Sequence, residues 1–218
     1  MRALDRNRIV LLVTGFSVLV AAVTGLAWIL NDPDAGAVDL ATSTDAEDRH
    51  KAVERLRGRG SDAARRTLRL LSRDPDKWVA IRAVRALGQD RSRAGRETLA
   101  EIIRDGDLAA PTRGEAAATL GTLPDADSGI LTEALVRDPK PEVRAGAAKG
   151  LLRMRNPKTL PQLVRALEDR DERVRIWAIT AIHKMIARRF PYNAKLPPGR
   201  QRNEIRRIQA YLRRCGAL

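Results

Sequence analysis

Val79-Ala80-Ile81-Arg82-Ala83-Val84-Arg85-Ala86-Leu87 decides the fold. Its frame sets Val at i, Ala at i+4 and i+7, and Leu at i+8, which share one face of a 3.6-period helix. The frame returns as Val143, Ala147, Gly150, Leu151 and as Val174, Ala178, Ala181, Ile182. It also fits Thr112, Ala116, Thr119, Leu120 and, more loosely, Asp48, Ala52, Arg55, Leu56. First positions at 48, 79, 112, 143 and 174 lie 31, 33, 31 and 31 residues apart. A period of this length marks a solenoid, whose units bury their apolar faces only against their neighbours.

Between the frames stand second apolar pairs: Leu68 and Leu71, Leu99 and Ile102, Leu131 and Leu135, Leu163 and Leu167. Each unit therefore reads as two helices, and small residues at the middle frame positions let neighbouring helices approach closely. No stretch alternates at period two for long enough to predict a strand. The reading is all-α: an α-solenoid (superhelix) of about five two-helix repeats over residues 45–188.

Arg73-Asp74-Pro75, Arg104-Asp105-Gly106 and Arg137-Asp138-Pro139 close one unit and open the next, with Glu168-Asp169-Arg170 as a variant. Asp before Pro reads as a helix start, the carboxylate accepting free N–H groups and Pro entering the first turn. The Arg before it faces the C-terminal dipole of the helix it ends.

These residues carry a resemblance. Asp-Pro-x-x-x-Val, then Arg or a small residue, then x-x-Ala-x-x-Ala-Leu resembles the bacterial HEAT-like repeat, of the kind also seen in phycobilin lyases. Arg49, Arg113, Arg144 and Arg175 follow the first frame position, and Ala80 breaks the series. The resemblance implies structural ladders between these Asp and Arg residues and second helices lining the concave side. It names a fold and leaves the function open. The tail, with Phe190-Pro191-Tyr192-Asn193, Pro197-Pro198 and an Arg-rich helix through Ile208 and Tyr211, resembles a segment of some bacterial HEAT-repeat proteins, without their Gly, Asp, Pro and Trp positions.

Residues 9–30 hold no charge, enough to cross a bilayer, which takes about 20 apolar residues. Arg2, Arg6 and Arg8 precede the run, while Asp32, Asp34, Asp39 and Asp45 follow it. The positive-inside rule predicts a single-pass inner-membrane protein, with residues 1–8 cytoplasmic and the repeats on the periplasmic side. An uncleaved anchor is favoured over a signal peptide, whose apolar region runs about 7–15 residues. Residues 31–44, poor in apolar side chains, read as a flexible tether.

Net charge is +14, and residues 183–218 carry 10 basic side chains against 1 acidic, or +9. The segment 189–218 reads as a basic cap for the last repeat, around Trp177 and Ile182. A peripheral membrane contact by the same amphipathic helix is the alternative. The few aromatics (3%) offer little for stacking on bases, so nucleic acid is the less favoured partner.

Catalysis needs converging reactive groups. His50 and His183 stand far apart and neither is followed by Glu, so the His-Glu pairs of HEAT-repeat hydroxylases are missing. The single cysteine, Cys215, excludes an internal disulfide. No metal, cofactor, small-molecule substrate or catalytic residue is predicted. The sequence points to a membrane-anchored scaffold for a protein partner, with Arg66, Arg69, Arg96 and Glu97 on the second helices and Arg206 and Arg207 on the tail as contacts. The alternative is electrostatic binding of nucleic acid or an anionic membrane surface.

Overall fold

The computed structural model describes residues 34–218. Eleven α-helices follow one another, and no strand occurs among the described residues. A short helix, α1 (Ala35–Ala41), precedes four helical hairpins. These are α2 (Ala46–Leu56) with α3 (Asp62–Leu71), α4 (Lys77–Leu87) with α5 (Arg93–Arg104), α6 (Ala110–Leu120) with α7 (Ser128–Arg137), and α8 (Pro141–Met154) with α9 (Leu160–Ala166). The fifth first helix is α10 (Glu172–Ile186), and α11 (Arg202–Arg214) ends the fold.

The frame forms the core. Val79, Ala83, Val143, Ala147, Leu151, Val174, Ala178 and Ile182 are all buried, as are Thr112, Ala116 and Leu120. In the loosest unit only Ala52 and Leu56 are buried, while Arg55 is exposed. The first helices meet through small residues. A methyl group on Gly150 would stand 2.5 Å from the Ala117 carbonyl oxygen, and one on Gly146 would stand 2.6 Å from the carbonyl carbon of Gly114. Helices α6 and α8 therefore touch backbone to backbone, an approach that only glycine permits.

Helix starts follow local chemistry. Asp45, Ser61, Asp76, Ser92, Asp127 and Asp171 each accept a backbone N–H of the first turn. Helices α6 and α8 have no capping side chain and instead carry Pro111 and Pro141 in the first turn. The junction aspartates are thus not caps, contrary to the sequence reading. Asp74, Asp138 and Asp169 each accept the N–H two residues on, at 2.8–2.9 Å. Their other contacts go to an arginine of the preceding first helix.

That arginine builds a ladder. Arg49 grips Asp74 with Nε and Nη2 (2.6 and 3.0 Å) and donates Nη1 to the Ser43 and Thr44 carbonyls. Arg144 repeats the pattern with Asp169 (2.7 and 3.0 Å) and the Asp138 and Pro139 carbonyls. Arg113 pairs with Asp138 and donates to the Ile103 carbonyl. Arg175 turns to the Ala194 carbonyl (2.6 and 2.9 Å) and keeps the bonds to the Asp169 and Arg170 carbonyls. Ala80 breaks the ladder, and Asp105 is taken instead by Arg73, a half-exposed side chain one helix earlier.

The last helix departs from the repeat plan. Ala187 adopts the left-handed conformation (φ 51°) and ends α10. The chain then runs back along α10: Phe190 N–H donates to His183 Nε2 (3.0 Å), Tyr192 Oη donates to the Leu167 carbonyl (2.6 Å), and the Ala194 carbonyl meets Arg175. α11 starts beside Asn193, through Gln201, and its far end brings Tyr211 against Phe190 and Arg188. It therefore runs parallel to α10, whereas the second helix of a hairpin runs antiparallel to the first. Ile205, Ile208 and Leu212 are buried, so its apolar face is occupied within the fold.

Two expectations need correction. Among the described residues no helix is long and apolar enough to cross a membrane. The single-pass, periplasmic topology is therefore unsupported, and residues 9–30, on which it rested, lie outside the described residues. Within the expected tether, Ala35–Ala41 form α1, whose Ala37 is buried.

Candidate functional site

The second helices α3, α5, α7 and α9 turn Leu68, Leu99, Leu131 and Leu163 inward. Successive second helices pack against one another less closely than successive first helices do. Grooves remain between successive second helices as a result.

The groove between α5 and α7 has a volume of 580 Å³ and is lined by Arg96, Glu97, Ala100, Glu101, Asp125 and Ile130 among others. Glu97 accepts from Arg93 Nε (2.7 Å), and this bond raises the Arg93 pKa. Arg69 reaches Glu101 across the helix gap (2.7 Å), and Arg96 donates to the Arg91 carbonyl (2.9 Å). The groove between α7 and α9, 280 Å³, is lined by Val136, Gln162, Arg165 and Glu168. Gln162 Oε1 is buried there without a protein partner. Such a row offers guanidinium, carboxylate and amide groups between apolar strips, chemistry that suits an extended polypeptide.

A profile of the family described as HEAT repeats matches residues 66–130 and 128–192. The chain belongs to the HEAT-repeat family. Among solved structures, this HEAT-repeat chain is similar to an engineered protein, at 22% identity over 71% of this chain and 79% of that one, with a TM-score of 0.45. A chain of the CpcE–CpcF complex of phycocyanin lyase from Nostoc sp. is 19% identical over 70% of this chain and 64% of its own, with a TM-score of 0.49. A computationally designed armadillo repeat protein for modular peptide recognition is 18% identical over 84% and 87%, with a TM-score of 0.43. These likenesses concern the fold alone. No curated protein matches the chain.

Of the residues singled out from the sequence, the HEAT-repeat array brings Arg96 and Glu97 into one groove and ties Arg69 to its rim. Arg66 is exposed on α3. Arg206 and Arg207 lie exposed on α11, and Arg207 pairs with Glu204 (2.8 Å). Sequence reasoning missed Glu101, Asp125, Val136 and Gln162. For Glu101 the signal was the constant step of 32 residues through Arg69, Glu101, Glu133 and Arg165, one exposed column, whereas Asp125, Val136 and Gln162 follow from packing alone.

His50 Nε2 lies 3.9 Å from Asp76 in the first repeat, whereas His183 accepts from Phe190 in the last. Burial, then the charge of Arg189, holds the His183 pKa below its ordinary value. Among the described residues, no group of three or more His, Cys, Asp and Glu could hold a metal ion.

Proposed function

We propose that this HEAT-repeat protein is a non-catalytic scaffold that holds a segment of a partner protein along its second-helix face. One observation carries the reading: two adjacent grooves between α5, α7 and α9 combine paired charges, a buried unpartnered amide oxygen and the exposed Val136. Arg66, Arg69, Arg96 and Glu97 are the proposed contacts. The test places a photo-crosslinker at Glu97, at Val136 and, as control, at Arg82 on the first-helix face of α4. One recurrent protein captured from Glu97 and Val136 and absent from Arg82 supports the reading. Equal capture from all three positions refutes it.

A second reading, sequence-independent contact with a nucleic-acid backbone, rests on α11. Arg202, Arg206, Arg213 and Arg214 have no carboxylate partner among the described residues, and Arg206 and Arg207 are the contacts named for this face. The apolar face that membrane insertion would need is already buried. Duplex DNA affinity falling steeply with salt, by about one logarithmic unit per phosphate contact for each tenfold rise in salt, separates this reading from the first.

A further inference from the structure

The ladder has one missing rung, and its surroundings are specific. In the first and fourth repeats the ladder guanidinium sits between the carbonyls six and five residues before it and the carboxylate twenty-five residues after it. Counted from Ala80, those positions are the Asp74 and Pro75 carbonyls and the Asp105 carboxylate. Among the described residues, no protein donor meets either carbonyl. A recess of 500 Å³ opens beside these positions, lined by Asp74, Pro75, Ala80 and Asp107 and by the cations Arg73 and Lys77 among others; Asp105 lies next to the lining, paired with Arg73.

The acceptors there match a planar, multiply donating cation. A guanidinium presents five N–H donors in a rigid fork, whereas an ammonium acts as a point charge. Asp105 Oδ1 accepts the Asp107 N–H (3.2 Å), as the other ladder aspartates do two residues on, and its one side-chain partner is Arg73, which is half exposed; surface pairs of this kind contribute little. A carboxylate also has acceptor capacity for a second donor. Buried Leu108 and the adjacent Pro75 and Pro111 form an apolar flank for an aliphatic stem.

We propose that this recess receives an arginine side chain from a partner polypeptide, which completes the Arg–Asp ladder in trans. The proposal is independent of the second-helix reading, because the recess lies at the junction between the second and third repeats.

The probe is N-acetyl-arginine methylamide, titrated into the full chain and followed by NMR chemical shifts. Saturable shifts are expected for residues 74–80 and 105–112, with a dissociation constant of about 1 mM. The matching lysine amide should bind several-fold more weakly, and the citrulline amide should not bind. Ala80→Arg supplies the rung in cis and should abolish binding while raising the melting temperature. Asp105→Asn, which leaves the recess unfilled, should weaken binding at least five-fold. If Ala80→Arg fails to fold, the Asp105→Asn titration decides alone. No saturation by about 20 mM, equal binding of the lysine amide, or undiminished binding to a folded variant overturns the proposal.

Discussion

Gly146→Ala is a sharp test of how the middle of this solenoid holds together. The added methyl would lie 2.6 Å from the carbonyl carbon and 2.7 Å from the Cα of Gly114, nearer still to that carbonyl's oxygen. Carbon atoms settle at about 3.5–4.0 Å, so α6 and α8 must separate locally by about 1 Å. The obstacle is backbone, which cannot rotate aside. Overpacking of this kind costs about 1–3 kcal/mol, and a backbone clash belongs at the upper end. Replacing a mid-helix glycine by alanine returns about 1 kcal/mol of helix propensity. The net loss is then about 2 kcal/mol, or roughly 4–8 °C in melting temperature for a chain of this size. Gly106→Ala is the control, since nothing lies within 4 Å of its added methyl. Thermal and urea unfolding followed by circular dichroism measure both variants. A Gly146→Ala protein as stable as the parent, or more so, refutes the backbone-contact account.

Two further outcomes follow from other contacts. Arg144→Ala removes two bonds to Asp169 and two to junction carbonyls, which should cost about 2–4 kcal/mol, and Arg144→Lys should recover less than half because an ammonium cannot span the fork. Urea midpoints measure both, and full rescue by lysine would show that charge rather than geometry holds the joint. His183 Nε2 must be unprotonated to accept the Phe190 N–H, and its folded pKa lies below the ordinary 6.5. The unfolded chain therefore binds this proton more readily, so the stabilisation is full above about pH 6.5 and is lost as pH falls toward the folded pKa. Proteolysis within residues 188–201 should accelerate between pH 7.5 and 5.0 in the parent, with a smaller change in His183→Gln. Identical acceleration in the two proteins would remove His183 from the account.

Much of the array was legible because one force sets it. The frame positions repeat since each must face a neighbouring helix, and burial of Val79, Val143 and Val174 follows from spacing alone. The junction aspartates form the Arg–Asp ladder that the family resemblance implies, while the cap reading failed for a local reason: Asp before Pro resembles a cap, yet the helix starts at Lys77 and at Pro141, two residues later than that reading requires. The clue was a constant separation of 25 between Arg49 and Asp74, Arg113 and Asp138, and Arg144 and Asp169. The polarity of α11 had no such signal. It depends on where Tyr192 and the Ala194 carbonyl find partners, Leu167 and Arg175, in elements already folded. The grooves were half legible: Arg96 and Glu97 are reached because they stand on a second helix, but Gln162 enters only through the packing of α7 against α9.

The broken rung also has a mechanical meaning. Between the third and fourth repeats, glycine leaves bare backbone in contact with no layer of side chains to compress, and Arg113 clamps the same joint. Between the second and third repeats the clamp is absent and Gly88 abuts the Thr119 side chain, a softer cushion. Bending strain in such a rod collects at its most compliant joint. Across residues 74–112 the joint rests on exposed pairs, Arg73–Asp105 and Arg85–Glu115, in place of the buried clamp, so an occupant of the recess would stiffen this joint first.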